Sequence, residues 1–206
     1  MTIYDLKPAF QNLLRPICRA LAGAGVTANQ VTLAAVLLSF ASGAAIGWKP
    51  GAAWPLWCLP AVLLVRMALN AIDGMLAREH GQQSALGGLL NELGDVVSDT
   101  AIFLPFALIP GVRAAAVVGV VLLAVFSEMT GVVAVQIGAS RRYDGPLGKS
   151  DRAFVFAVLA MVLAAGVTPG RWLDIVWGFA AVLLVWTCWN RGRRALTEVR
   201  AKTAAT

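Results

Sequence analysis

The chain has 206 residues, of which 59% are hydrophobic and only 14% charged, and its mean hydropathy is +0.74. These values exclude an ordinary soluble domain and predict a protein that crosses a membrane several times. The cysteines Cys18, Cys58 and Cys188 are scattered, which excludes a disulfide framework and a cysteine zinc site.

The first predicted element is an amphipathic helix over residues 1–26. Apolar residues such as Phe10 and Leu14 recur at steps of three and four, and Lys7 and Arg15 lie between them. This pattern is typical of a helix that lies on the membrane surface with its basic groups toward anionic headgroups. The alternative is a short soluble helix that packs under the membrane bundle.

Six apolar segments follow, and turn residues and charges separate them. The predicted transmembrane segments are 31–48, 54–69, 84–109, 112–138, 153–167 and 172–189. Thr27 is the predicted N-cap of the first of these. The expected fold is therefore an all-α integral membrane protein with one domain over 1–206. It consists of the surface helix, a six-helix bundle over 27–192 and a basic tail over 193–206.

The distribution of positive charge predicts the topology. With the N-terminus in the cytoplasm, thirteen Lys and Arg residues fall on the inner side, and only Lys49, Arg113 and Arg171 fall outside. The positive-inside rule then predicts a multi-pass protein of the inner (cytoplasmic) membrane with both termini in the cytoplasm. The net charge of +6 is explained by anionic lipids, so no nucleic-acid partner is expected.

The segment 70–99 places polar and charged side chains in a chain that is otherwise apolar. Charged groups near a membrane are costly unless they pair, bind ions or face water, so this segment is the candidate functional site. It lies on the predicted cytoplasmic side. The residues concerned are Asn70, Asp73, Arg78, Asn91, Glu92, Asp95 and Asp99.

Helical spacing predicts two facing surfaces within this segment. Before a turn at Gly81, Asn70 and Asp73 are three residues apart and share one face of a helix. After the turn, one face of the next helix repeats every four residues, through Gly87, Asn91, Asp95 and Asp99. The two faces are expected to oppose oxygen ligands across a cleft.

The chemistry of these residues predicts a phosphate-bearing substrate. Asp and Asn oxygens suit Mg²⁺ or Mn²⁺, which are typical partners of phosphates. Gly74, Ala77 and Gly87 have little or no side chain, so a nucleotide can approach closely, and Arg78 is placed to contact a phosphate oxygen. The alternative is that the small residues are helix-packing contacts and the charges form an ion-pair network.

The order and spacing of these residues resemble the signature of the CDP-alcohol phosphotransferase family, DxxDGxxARx8GxxxDxxxD. The matching segment of this chain reads NxxDGxxARx8GxxxNxxxD from Asn70 to Asp95. A Thr-x-Asn element at 27–29, before the first span, is also similar. The eight-residue interval is long and specific, and the resemblance covers most of the chain.

The resemblance implies a bundle of six membrane helices with its active site facing the cytoplasm. Such an enzyme transfers a phospho-alcohol from a CDP-alcohol, often CDP-diacylglycerol, to a second alcohol and releases CMP. Four aspartates hold two divalent metal ions, the last of them is the general base, and the enzyme is a homodimer.

Carried over to this sequence, the resemblance makes Asp95 the catalytic base. The residues that it assigns to the CDP-alcohol are Asn29, Gly74, Ala77, Arg78 and Gly87. The expected metal ligands are Asn70, Asp73, Asn91, Asp95 and, one helical turn further, Asp99.

Two positions depart from the family pattern, because Asn70 and Asn91 replace the first and third aspartates. The exchange lowers the ligand charge by two, although an Asn carbonyl oxygen is a legitimate ligand for a hard cation. Glu92 and Asp99 are the candidates to restore the charge. The sequence leaves open whether the site holds one metal or two.

Two further groups of charges lie outside the signature. The basic residues of the loop 139–152 are predicted either to bind an anionic acceptor alcohol or to anchor the loop to lipid headgroups; they are Arg141, Arg142, Lys149 and Arg152. Glu128 lies within a predicted span and is interpreted as half of a structural ion pair, with Arg66 as the candidate partner.

The favoured function is therefore phospholipid synthesis by a CDP-alcohol phosphotransferase, with CDP-diacylglycerol as the donor and Mg²⁺ or Mn²⁺ as the cofactor. Two alternatives stay open: a catalytically degenerate relative that binds lipids, and a small ion-coupled transporter. The sequence does not predict which alcohol accepts the phosphatidyl group.

Overall fold

The computed structural model describes residues 3–204, with side chains from residue 8 onward, and within that range every regular element is helical. The helices are α1 (Ile3–Gly23), α2 (Ala28–Trp48), α3 (Ala53–Glu79), α4 (Ala85–Phe103), a 3₁₀ helix (Leu104–Leu108), α5 (Ala114–Gln136), α6 (Lys149–Ala164) and α7 (Arg171–Ala204). The predicted all-α class is confirmed.

Local sequence signals account for the ends of several helices. Thr27 and Gln30 form a capping box at the start of α2: the Gln30 amide donates to Thr27 Oγ1 over 3.3 Å, and the Thr27 amide donates to Gln30 Oε1 over 2.9 Å. Helix α4 ends at Phe103, and the chain continues as a 3₁₀ helix with Pro105 in its first turn. Helix α3 runs without a break from the apolar segment 54–69 into the signature.

The chain divides into two compact units whose boundaries fall inside α2, α3 and α4. The first unit comprises the described residues up to Ser42 together with Ala61–Ser98. In its core, the apolar face of α1 packs against α2 and α3, through Leu14, Cys18, Val31, Ile72 and Leu76. Helix α1 therefore covers the end of α3 that carries the signature.

The second unit comprises Gly43–Pro60 and the described residues from Asp99 onward. Helix α5 packs against α7 and against the 3₁₀ helix. The core contains four aromatic rings: Phe156 stacks on Phe103 at 3.9 Å between centroids and contacts Phe106 and Trp177 at 5.1 and 5.3 Å.

Within residues 3–204, four helices are long and apolar enough to cross a membrane: α2, α3, α5 and α7. Helix α4 carries three acidic residues, and α6 has only 16 residues, so neither satisfies the same requirement of length and composition. The chain is a multi-pass membrane protein. The tail predicted over 193–206 continues α7 as a helix as far as Ala204.

Candidate active site

The two signature faces meet in the first unit. Gly81, with a positive φ of 67°, lies between α3 and α4, and this left-handed conformation strongly favours glycine. Across the turn, the Asn70 side-chain amide on α3 donates a hydrogen bond to Asp95 Oδ1 on α4 over 3.0 Å. The predicted opposition of these two helix faces is therefore observed at the first and fourth signature positions.

Asp95 is held from two sides. In addition to the bond from Asn70, Arg66 Nη2 lies 3.9 Å from Asp95 Oδ1 and donates to the Asp95 carbonyl oxygen over 3.3 Å. The Arg66 side chain is only 4% exposed, whereas that of Asp95 is 29% exposed. The buried Arg66 guanidinium thus fixes the position of Asp95, and the Asp95 carboxylate is still partly exposed at the surface of the unit.

Asp73 has a different environment, because it is buried. Its Oδ2 accepts a hydrogen bond of 2.8 Å from Thr32 Oγ1 on α2. Thr32 is itself buried, and its hydroxyl also lies 3.1 Å from the Ala28 carbonyl oxygen. Helix α2 therefore contributes a direct contact to the second signature position.

The start of α2 also lies against the middle of the signature. A Cβ atom added at Gly87 would lie 2.9 Å from Asn29 Oδ1 and 3.0 Å from Ser84 Oγ. Gln82 links the same parts of the chain, because its Oε1 accepts from the Ala28 amide over 2.7 Å and its Nε2 donates to the Val26 carbonyl oxygen over 3.3 Å. Asn29 and Gly87, which the family resemblance assigns to the CDP-alcohol, are thus neighbours.

Arg78 lies beside Gly74, which precedes it by one turn on α3. A Cβ atom at Gly74 would approach Arg78 Nη2 and Nη1 to 3.0 and 3.1 Å, so the glycine leaves room for the guanidinium against the helix. The Arg78 side chain is exposed, and Ala77 is half-buried beside it. A cation held close to the backbone at an exposed helix end is suited to contact a phosphate.

The remaining predicted metal ligands have varied surroundings. Asn91 is exposed and Glu92 is half-buried on α4. Asp99 belongs to the second unit, where its Oδ2 accepts a bond of 3.0 Å from Arg152 Nη2. Among the residues that the structure describes, no three His, Cys, Asp or Glu side chains are grouped closely enough to hold a metal ion. A metal ion at this position would therefore need amide oxygens as well as carboxylates as ligands.

The second unit contains a cluster of five charged side chains, which we call the arginine cluster: Asp99, Glu128, Arg141, Arg152 and Arg191. Its centre is the Glu128 carboxylate, which accepts hydrogen bonds of 2.9 Å from Arg152 and 3.0 Å from Arg141. Arg191 Nη1 lies 3.3 Å from Glu128 Oε2. The sequence correctly predicts an ion pair at Glu128, but its partners are these three arginines and not Arg66.

The other basic residues of the loop also have defined positions. Arg142 donates to Asp144 over 2.8 Å and to Glu198 on α7 over 2.9 Å. Lys149 is the first residue of α6 and is half-buried. The loop is therefore fastened to α7 as well as to α5.

Three contact residues are absent from the sequence prediction of these sites. Thr32 lies outside the signature, Arg66 is predicted to pair with Glu128 and not with Asp95, and Arg191 carries no prediction of its own. Arg66, four residues before Asn70 on the same helix, was the one with a usable signal in the sequence.

Comparison with known proteins identifies the family. The sequence profile of the CDP-alcohol phosphatidyltransferase family matches residues 25–189. The chain belongs to this family. The match begins just before α2 and ends within α7, so it includes the whole signature and the arginine cluster except Arg191.

Two relatives of this CDP-alcohol phosphatidyltransferase family member are similar in sequence. Inner membrane protein YnbA of Escherichia coli (strain K12) is 45% identical over 198 residues, which cover 95% of this chain and 97% of that protein. Phosphatidylinositol phosphate synthase of Mycobacterium marinum (strain ATCC BAA-535 / M) is 31% identical over 97 residues, 47% of this chain and 40% of that protein.

Crystal structures of Mycobacterium tuberculosis phosphatidylinositol phosphate synthase (PgsA1) share the fold. The structure with CDP-DAG bound has a TM-score of 0.71 at 23% identity and covers 89% of this chain and 92% of its own. The complex with manganese and citrate has a TM-score of 0.72 at 24% identity and covers 88% of each chain.

Proposed function

We propose that this protein transfers a phosphatidyl group from CDP-diacylglycerol, or a related CDP-alcohol, to an acceptor alcohol and releases CMP. The observation that carries the proposal is the contact between Asn70 and Asp95, which brings the two ends of the family signature together. Family membership and the synthases among its relatives support the same reaction.

Asp95 is the proposed general base. The acceptor oxygen forms a bond to the phosphorus of the donor, its proton passes to the Asp95 carboxylate, and the bond from phosphorus to the CMP oxygen breaks. A free alcohol is a poor nucleophile at neutral pH, so a carboxylate within hydrogen-bond reach is needed. The partly exposed Asp95, fixed by Asn70 and Arg66, fits that role.

The donor set fits a hard divalent cation such as Mg²⁺ or Mn²⁺. Asp73 and Asp95 supply carboxylates, Asn70 and Asn91 supply amide oxygens, and no His or Cys is needed. The manganese complex of the M. tuberculosis synthase supports this assignment. When bound, the metal neutralises charge on the pyrophosphate; Asp99 and Glu92 are secondary candidates to hold it.

The nucleotide contacts are assigned to the residues around Gly87 and Gly74. Asn29 and Gly87 are neighbours at the ends of α2 and α4, and Gly74, Ala77 and Arg78 form the end of α3. Small residues at these positions let the cytidine phosphate approach the backbone, and Arg78 meets a phosphate oxygen.

Gly87→Ala should therefore impair use of the donor. The added methyl group lies too close to Asn29 and Ser84, so Asn29 must move and KM for CDP-diacylglycerol should rise at least about tenfold, the effect of one lost hydrogen bond to a charged group. The matched control is Gly88→Ala, because a Cβ at that exposed glycine meets nothing within 4 Å. Equal KM values for the two variants would remove Asn29 and Gly87 from the donor site.

Restoring aspartate at the two divergent signature positions should strengthen metal binding. Asn70→Asp and Asn91→Asp each add a negative charge to the donor set, and affinity for hard cations rises with the ligand charge. We expect the Mg²⁺ concentration for half-maximal CMP release to fall in both single variants and further in the double variant. An unchanged Mg²⁺ requirement in all three would show that these positions do not hold the metal.

The membrane arrangement is also a proposal. We infer that α4 and α6 cross the bilayer together with α2, α3, α5 and α7, that α1 lies on the inner membrane surface, and that both termini and the active site face the cytoplasm. The distribution of Lys and Arg supports this orientation. A fluorescent protein fused to the C-terminus should fluoresce and an alkaline phosphatase fusion should be inactive; the opposite pattern would reverse the topology.

The assembly is proposed to be a homodimer, on the resemblance to the family alone. Light scattering of the purified protein in detergent should give a protein mass near twice 21.7 kDa. A monomeric mass in several detergents would contradict it.

Two rival functions make different predictions in the same assay. Purified protein in lipid nanodiscs is incubated with Mg²⁺, CDP-diacylglycerol and a panel of alcohols, and CMP is measured. The proposed enzyme releases CMP only when an acceptor is present. A degenerate lipid-binding relative or an ion-coupled transporter releases none.

A further inference from the structure

The buried part of the arginine cluster is electrically neutral. Arg152 and Arg191 are 2% and 1% exposed, and Glu128 and Asp99 are 8% and 7% exposed. These two cations and two anions balance, and Arg141, at the edge of the cluster, is more exposed. An isolated buried charge is very costly, so this balance stabilises the cluster without any external ion.

Most of the hydrogen-bonding capacity of the two buried arginines is directed at the protein itself. Arg152 donates to Asp99, to Glu128 and, at 3.4 Å, to Ser127 Oγ. Arg191 donates to the carbonyl oxygens of Ser127 and Asp144 and to Glu128. Both Nη atoms of Arg152 and all three nitrogens of Arg191 therefore already have protein partners, and of the donors of these two side chains only Arg152 Nε has none.

The position of Glu128 is fixed by backbone packing as well as by charge. Gly131, one turn further on α5, lies against the loop, because a Cβ atom there would come within 2.5 Å of the Arg142 carbonyl oxygen. The Arg142 amide donates to the Gly131 carbonyl oxygen over 3.3 Å. This close approach holds Arg141 beside Glu128. The Arg141 guanidinium donates a hydrogen bond to the Glu128 carboxylate, in addition to the contacts from Arg152 and Arg191.

We propose that Glu128 is a built-in counter-anion that prevents the arginine cluster from binding a phosphate, so that the acceptor alcohol of this enzyme carries no phosphate group. The inference rests on the proposed function. Of the two sequence-based alternatives for the basic residues of the loop, it argues against binding of an anionic acceptor alcohol. Asp99, a member of the cluster, follows Asp95 by four residues in α4.

The first test compares matched acceptors with the wild-type protein. CMP release from CDP-diacylglycerol is measured with glycerol against glycerol phosphate and with inositol against inositol phosphate. We expect the free alcohol of at least one pair to be used, with kcat/KM at least about tenfold above that of its phosphate ester, since the arginines that would pair with the ester phosphate are already paired with Glu128 and Asp99. Preferential use of a phosphate ester would overturn the proposal.

The second test removes the counter-anion. Glu128→Gln keeps the size of the side chain and leaves two buried arginines against Asp99 alone. Inorganic phosphate should then raise the melting temperature of the variant in a saturable manner, while the wild-type protein shows no such response. The further exchange Arg152→Gln in the Glu128→Gln background should abolish the response.

Asp174→Asn is the control for the charge change. Asp174 pairs with the exposed Arg113 over 2.8 Å at the start of α7, so its loss should create no response to phosphate. A saturable stabilisation of the wild-type protein by phosphate that Arg152→Gln removes would also overturn the proposal. If Glu128→Gln does not fold, the acceptor pairs and the phosphate titration of the wild-type protein still decide the question.

Different results would contradict the proposed transferase function and the proposed role of Glu128. If no acceptor of any kind yields CMP, the proposed function fails, and the phosphate titrations still test whether Glu128 occupies the anion position. If CMP is released with phosphate esters in preference to free alcohols, the proposed function stands and the assignment of Glu128 is wrong.

Discussion

Asp95→Asn should lower acceptor-dependent CMP release by about 10²- to 10⁴-fold, the usual contribution of a general base. The amide cannot take the proton from the acceptor alcohol. Asn70 and Arg66 remain to hold the side chain in place, so the fold should persist. The measurement is the initial rate of CMP formation by purified protein in nanodiscs at saturating Mg²⁺ and CDP-diacylglycerol.

Glu79→Gln is the matched control for this variant. Glu79 ends α3 and makes an exposed ion pair of 3.1 Å with Arg15, which should contribute little to stability and nothing to the reaction. Its CMP release should stay within about twofold of the wild type, a change too small to represent a lost catalytic group. Asp95→Asn should also retain part of the Mg²⁺ binding, through the other oxygen donors. Undiminished turnover of Asp95→Asn would remove Asp95 as the base.

Arg152→Gln should be the most destabilising single change in the second unit. It leaves Asp99 and Glu128 buried with less positive charge, and breaking a buried ion pair in this way typically costs about 3–5 kcal/mol. The free energy of unfolding in mixed detergent micelles, measured by denaturant titration, should fall by that amount.

Arg113→Gln provides the comparison, because Arg113 is 69% exposed in its pair with Asp174. A surface pair contributes only about 0–1 kcal/mol, so the stability of this variant should be close to that of the wild type. Similar losses in both variants would mean that the arginine cluster is no more important to the fold than a surface contact.

The signature geometry could be predicted from the sequence because it is local. Helical periods of three and four fix which residues share a face, and glycine at position 81 marks the turn between the two helices. These rules predict which residues share each face without knowledge of the rest of the chain, whereas the contact of Asn70 with Asp95 is seen only in the structure. The capping box at Thr27 and Gln30 is predictable for the same reason.

The partners of the buried charges could not be predicted in this way. Thr32 contacts Asp73 across 41 residues of sequence, and Arg152 contacts Asp99 across 53. Nothing in the spacing selects Arg152, Arg191 or Arg66 for Glu128, since each would satisfy the need for a cation. Only the packing of α5 against α7 and of the loop against Gly131 decides among them.

The extents of α6 and α7 differ from the prediction for a related reason. Hydropathy places the start of the fifth segment at 153, but α6 begins at Lys149, where Asp151 accepts a bond of 2.9 Å from the Gly148 amide. Hydropathy likewise ends the sixth segment at 189, whereas good helix formers such as Arg, Ala and Leu continue α7 to Ala204. The length of an apolar segment predicts which part of a helix crosses a membrane. It does not predict the residues at which the helix begins and ends.

The central claim is that this protein is an active transferase, and paired measurement of both products tests it most directly. Purified protein with Mg²⁺, CDP-diacylglycerol and an acceptor alcohol should form CMP and one new phosphatidyl lipid in equal amounts, as measured by chromatography and mass spectrometry. Removal of the metal with EDTA should abolish both products. The absence of CMP with every acceptor, or CMP formation accompanied only by phosphatidic acid, would contradict the account.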